Sequence, residues 1–147
     1  MPNVVIDTSV FIAGMLTSNK ESSSAQVISM WRAGAFTLVM SPQILREIVA
    51  KQIEKKVDDQ LIIEFVTIVA KIALHIPGAY ESTKLDNIDK DDNKFLAAAY
   101  EADADYLVSL DAKHLLPLKF FHGTQILAPH LFVRAMVSSP PEETERK

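Results

Sequence analysis

Apolar positions along the chain alternate between two spacings. Val4-Val5-Ile6, Thr37 to Met40 and Tyr106 to Leu110 are short, β-rich runs of the kind buried on both faces of a parallel sheet. Gly123 to Leu127 adds a last short one. Between these runs the spacing becomes helical. Thr8 and Ser9 are capping candidates ahead of Val10-Phe11-Ile12-Ala13, so the first strand leads straight into a helix. Ser22-Ser23-Ser24 precede Ala25 to Arg32, where Val27, Ile28 and Trp31 share one face, and Gly34 ends the segment. Ser41-Pro42 opens a further helix with serine at the cap and proline at its first position; Ile44, Leu45, Ile48 and Val49 form its apolar stripe and Glu47 borders it. Phe95 to Ala99 is strongly helix-forming, and Pro129 starts a terminal helix through about Val137. Strands alternating with helices predict an α/β chain built on a parallel sheet.

Residues 58–76 read as one long helix with two apolar rows, Leu61, Phe65, Ile68, Ile72 and Ile62, Val66, Val69, Ala73. A helix of this kind should be covered on two sides, by burial in the domain or by a homodimer or partner-peptide surface. Pro77-Gly78 stops it. The length of 147 residues suits one domain, expected over residues 1–137, with no internal repeat or linker. Residues 138–147, with Pro140-Pro141 and charged neighbours, are expected to be a disordered tail.

Composition narrows the function classes. No basic segment followed by an apolar one stands at the N-terminus, and Leu61 to Ile76 is interrupted by Glu64, Lys71 and His75. A signal peptide or membrane span is therefore not expected, and a cytoplasmic location is. The absence of cysteine excludes disulfides and thiolate metal sites. With 15 Lys and Arg against 19 Asp and Glu, the chain does not bind nucleic acid through overall positive charge. Phosphate contacts would have to be local, from Arg46, Lys51, Lys55, Lys56, Lys90, Lys94 or Lys113, most of which read as solvated helix faces.

Four acids stand out against this background. Asp7 and Asp111 follow strand-like runs, while Glu47 and Asp92 lie near helix starts. In an open parallel sheet the carboxyl ends of strands and the amino ends of the following helices meet at one edge, where ligands bind. Carboxylates gathered there cannot all stay ionised without a neutralising cation, and hard divalent ions take oxygen ligands. Each acid alone has a plainer reading, a helix cap, a turn or a solvated face. Asp92 shares a helical face with Phe95, Leu96 and Ala99, whereas Asp89 and Asp91 read as helix-capping acids; the crowding leaves open whether either shares the role of Asp92. His75, His114, His122 and His130 lack metal-motif spacing and read as core-edge or surface residues. Glycine occurs only at 14, 34, 78 and 123, so neither a phosphate-cradling loop nor a Gly-x-Ser-x-Gly elbow is present. A phosphatase with Asp7 as nucleophile would want a second acid at position 9, where Ser9 stands.

Asp7-Thr8-Ser9-Val10 after an apolar strand, Glu47 within Ser41-Pro42-Gln43-Ile44-Leu45-Arg46-Glu47-Ile48, the run Asp89 to Ala99, and Ala104-Asp105-Tyr106-Leu107-Val108-Ser109-Leu110-Asp111 together resemble the PIN-domain family. The likeness is closest to its toxin branch, which includes VapC-type toxins of toxin–antitoxin systems. It spans about residues 3–128, in the family's motif order. The resemblance implies a three-layer α/β/α sandwich around a mainly parallel sheet, commonly dimeric. It implies a site in which Asp7, Glu47, Asp92 and Asp111 hold one or two Mg²⁺ or Mn²⁺ ions, supported by Ser9 and Ser109, and hydrolyse RNA phosphodiester bonds. An antitoxin protein is the implied partner. The chemistry suits the residue types: a divalent ion neutralises the phosphodiester charge, activates water and stabilises the departing oxygen. The alternatives from other classes are a silent RNA- or protein-binding module of the same fold and a metal-dependent phosphohydrolase with another substrate.

Overall fold

The computed structural model describes residues 1–81, 84 and 92–138. Asp89, Lys90 and Asp91 and the tail from 139 onward lie outside them. The elements run β1 (Asn3–Ile6), α1 (Thr8–Leu16), α2 (Ser23–Arg32), β2 (Thr37–Met40), α3 (Pro42–Glu54), α4 (Asp59–Ile72), β3 (Leu74–His75), α5 (Asn93–Ala102), β4 (Tyr106–Val108), β5 (Phe120–Phe121), β6 (Thr124–Leu127) and α6 (Pro129–Ser138), with a 3-10 turn at Leu116–Leu118. The sheet order is β3-β2-β1-β4-β6-β5. All neighbours pair in parallel except β5 with β6. Helical layers enclose this sheet, giving a three-layer α/β/α sandwich with a mainly parallel centre.

The central strands are buried because their side chains meet helices on both faces: Val4, Val5, Leu38, Leu107 and Val108 are fully enclosed. Phe11, Trp31 and Phe65 join α1, α2 and α4 through edge-to-face contacts at 5.3–6.0 Å. Phe132 of α6 makes the same contact with Phe36 and Tyr106 at 5.3 and 5.4 Å. Gly14 lets α1 approach α2, since a Cβ there would stand 2.7 Å from the Ser24 carbonyl oxygen. Ser22 and Ser41 cap α2 and α3 by accepting hydrogen bonds from Ala25 N and Ile44 N, both at 3.2 Å.

The direction of the chain across the sheet decides where the site forms. It moves outward from β1 through β2 to β3, then returns to place β4 on the other side of β1. A crevice is therefore left beyond the carboxyl ends of β1 and β4. Ile6 pairs with Val108, so Asp7 and Ser109 leave the sheet side by side, with Asp7 N donating to Val108 O at 2.9 Å.

Several expectations are corrected. The helix expected over residues 58–76 ends at Ile72; Ala73 is already extended, and Leu74–His75 pairs with Val39 and Met40 as an edge strand. Within the chain its rows are only partly covered: Phe65 and Val69 are buried while Leu61 and Ile72 are about half exposed. β4 stops at Val108 rather than Leu110, and the chain forms the short antiparallel strand β5, which the sequence pattern does not announce. The cap of α1 is Asp7, not Thr8 or Ser9. Among the described residues no helix is long and apolar enough to cross a membrane.

Candidate active site

Asp7 is placed by β1 and turned inward by α1. Its Oδ1 accepts from Ser9 N at 3.1 Å, capping the helix, and its Oδ2 accepts from the Ser109 hydroxyl at 2.6 Å. The carboxyl is 6% exposed. Burial raises its pKa above the usual value; the hydrogen bonds from Ser109 and Ser9 oppose the rise, and the charge of Glu47 adds to it. No basic side chain pairs with Asp7 among the described residues. A buried carboxylate without a cation is the arrangement a divalent ion would relieve.

Asp111 follows β4 by three residues. Its backbone N–H donates to Ser109 Oγ at 2.9 Å, and its Oδ1 accepts from Lys113 N and His114 N, both at 3.0 Å. Burial pushes this carboxyl up, but the His114 amide, the Asp92 side chain, the Lys113 amide and the nearby His114 ring together bring it below the usual value. Asp92 occupies the N-cap position of α5, yet its side chain makes no capping hydrogen bond. It turns to Asp111 instead. Two carboxyl groups in hydrogen-bonding contact require a proton or a cation between them. The buried Phe95, Leu96 and Ala99 on the same face hold this end of α5 against the sheet.

Glu47 reaches the site from α3. Its Oε1 lies 2.5 Å from Lys94 Nζ, and that ammonium sits 5.1 Å from the centre of the Phe95 ring. All four acids line one cleft of about 600 Å³, together with Thr8, Ser9, Lys51, Lys55 and His114. A second hollow of about 540 Å³ shares Ala13 and Leu110 with it and is lined by Ser22, Ser23, Ser24 and His130. Of the basic residues singled out above, Lys51 and Lys55 line the cleft. Lys94 meets Glu47, and Lys113 contributes its backbone amide.

Two residues at the cleft are not anticipated by the sequence reading. His114 reads there as a surface or core-edge histidine, yet one of its ring nitrogens lies within 4.8 Å of a carboxylate oxygen from each of Asp92 and Asp111. The signal was the Asp111-x-x-His114 spacing, which lets a turn bring ring and carboxylate together. Thr8 reads as a cap, but its side-chain oxygen is buried without a hydrogen-bond partner. The other histidines differ: His75 Nε2 pairs with Val69 O at 3.0 Å, and His122 stacks edge-on to Tyr100 and Phe121.

Comparison with known proteins gives a family and a fold. A family model described as PIN domain matches residues 3–113. No curated protein is a significant sequence match. A chain in the crystal structure of VapBC2 from Rickettsia felis, bound to a DNA fragment from their promoter, superposes with a TM-score of 0.56 at 15% identity. The match covers 84% of this chain and 96% of that one. At that identity the likeness is one of fold.

Proposed function

The chain belongs to the PIN-domain family, and from that premise we propose that it is a metal-dependent endoribonuclease, the toxin of a toxin–antitoxin pair. The observation that carries the reading is the meeting of Asp7, Glu47, Asp92 and Asp111, from four separate elements, in one cleft at the sheet's switch point. A solvated charge pattern has no reason to bury Asp7 or to direct Asp92 away from its own helix cap. A module that only bound RNA would favour basic residues here.

In this reading the four carboxylates hold one or two Mg²⁺ or Mn²⁺ ions, which when bound neutralise the phosphodiester charge and supply an activated water. Asp7 is held rigid by the Ser109 hydroxyl and the Ser9 amide, so its free lone pairs keep one direction. Asp111 is fixed in the same way by two backbone amides. Lys51 and Lys55 on the cleft wall bind flanking phosphates locally, which a chain of net charge −4 requires. The adjoining hollow, which shares Ala13 and Leu110 with the cleft, would give a single strand room beyond the reacting bond.

The partner part of the proposal rests on the fold likeness to a chain of a VapBC2 complex and on exposed apolar side chains at Ile53, Leu61, Ile72 and Leu74. These positions suit a second copy of the chain or an antitoxin peptide. Cleavage of single-stranded RNA with added Mg²⁺ or Mn²⁺, and its loss with EDTA, tests the enzyme reading. Metal-independent RNA binding without cleavage would favour the silent module.

A further inference from the structure

His114 is brought into the cleft by the turn that follows Asp111. Its amide donates to Asp111 Oδ1 at 3.0 Å, and its ring Nδ1 lies 3.5 Å from Asp111 Oδ2. One ring nitrogen of His114 and one oxygen from each of Asp92 and Asp111 all fall within 4.8 Å of one another. With metal–ligand bonds of about 2.0–2.2 Å, ligand atoms on one ion stand roughly 3–4.4 Å apart, so the three need only a small contraction to share it. A second observation points to an occupant. Thr8, 4% exposed and lining the same cleft, has a side-chain oxygen with no partner. A buried hydroxyl left unpaired is costly, and a solvated ion in the cleft offers it a partner.

We propose that His114 is a nitrogen ligand of the ion held by Asp92 and Asp111, and that this ligand makes the site prefer Mn²⁺ over Mg²⁺. The proposal rests on the metal site proposed above and specifies its selectivity. Mg²⁺ demands oxygen ligands and gives up its water reluctantly, whereas imidazole suits first-row transition ions. A set of four carboxylates alone suits both ions. The competing role for His114 is as a charge partner of Asp111; a protonated ring would repel the ion and contribute no nitrogen to it.

Pulsed electron paramagnetic resonance on the full chain loaded with Mn²⁺ alone separates these roles. Nitrogen hyperfine coupling is expected in the parent and should vanish in His114→Gln. In direct binding measurements His114→Gln should weaken Mn²⁺ by about tenfold or more, while Mg²⁺ binding should change by less than about threefold. The parent's nitrogen signal needs no variant, so misfolding of His114→Gln would not rescue a negative result. Mn²⁺ bound to the parent without nitrogen coupling, or an unchanged Mn²⁺ to Mg²⁺ ratio in a folded His114→Gln, overturns the proposal and leaves the carboxylate site standing. Failure of the parent to bind either ion overturns both.

Discussion

Ser109 Oγ donates a 2.6 Å hydrogen bond to Asp7 Oδ2 across 102 residues of sequence. The same oxygen accepts from Asp111 N at 2.9 Å, so the hydroxyl's single proton is committed to Asp7. One small residue thus fixes an acid from each of two adjacent strands. Ser109→Ala should leave the fold intact while loosening Asp7 and removing the acceptor for the Asp111 amide. Mn²⁺ affinity, read by titration, is expected to fall about 10–100-fold, the range typical when a residue that orients a metal ligand is removed. Unchanged affinity would deny Ser109 this role.

The shifted pKa of Asp7 makes a pH prediction for the metal-free protein. Its folded pKa lies above the usual 3.8, so the folded state holds this proton more tightly than the unfolded state does. The stability it contributes is present below pH 3.8 and is lost as pH rises through the raised folded value. Asp111 runs the other way: its lowered pKa contributes stability above 3.8 that is lost as pH falls through the folded value. In EDTA, the melting temperature of Asp7→Asn should gain on the parent as pH rises from about 4 toward 7. A difference between the two that does not change with pH would count against the raised pKa.

Gly14 provides a packing test remote from the acids. Alanine is favoured over glycine in a helix interior by up to about 1 kcal/mol. Here its Cβ would meet the Ser24 carbonyl oxygen at 2.7 Å and Ile28 Cγ1 at 2.8 Å, and the backbone oxygen cannot step aside without moving α2. Gly14→Ala should therefore be destabilising, by about 1–3 kcal/mol in chemical denaturation. A stabilised variant would show that α1 and α2 pack less closely.

Leu61 and Ile72 stand eleven residues apart on one face of α4, and each is about half exposed. Leu61→Glu with Ile72→Glu should convert a dimer to monomers, or abolish antitoxin binding, with little change in melting temperature because neither residue is in the core. A parent that is monomeric at micromolar concentration and binds no product of a neighbouring gene would remove the surface's proposed role.

Much of this architecture is legible in the sequence because buried strands and amphipathic helices write their periods directly into it, as at Val4–Ile6, Leu38–Met40 and Ile44 to Ile48. The edges are not. Leu74 and His75 are both exposed and become a strand only through pairing with β2, so their local pattern simply continues the preceding helix. Phe120 and Phe121 are likewise made a strand by β6. At the cleft, the acids could be picked out because strand ends and helix starts mark one edge of a parallel sheet. His114 could not be found from histidine spacing, because its neighbours in the cluster are carboxylates and one of them, Asp92, comes from a distant helix. Thr8 was hidden by resembling a cap when Asp7 before it makes that hydrogen bond.

The most direct test compares RNA cleavage with metal-free melting temperature for Asp7→Asn, Asp92→Asn and, as a control that does not line the cleft, Asp58→Ala, which removes the cap of α4. Asparagine keeps the capping oxygen of residue 7 and relieves the buried charge. Both site variants should lose at least about a hundredfold in Mg²⁺- or Mn²⁺-supported cleavage while melting no lower than the parent, and Asp58→Ala should lose about 1 kcal/mol of stability and keep its activity. Site variants that melt lower yet cleave RNA like the parent would show that Asp7 and Asp92 are structural caps, and the nuclease site would be refuted.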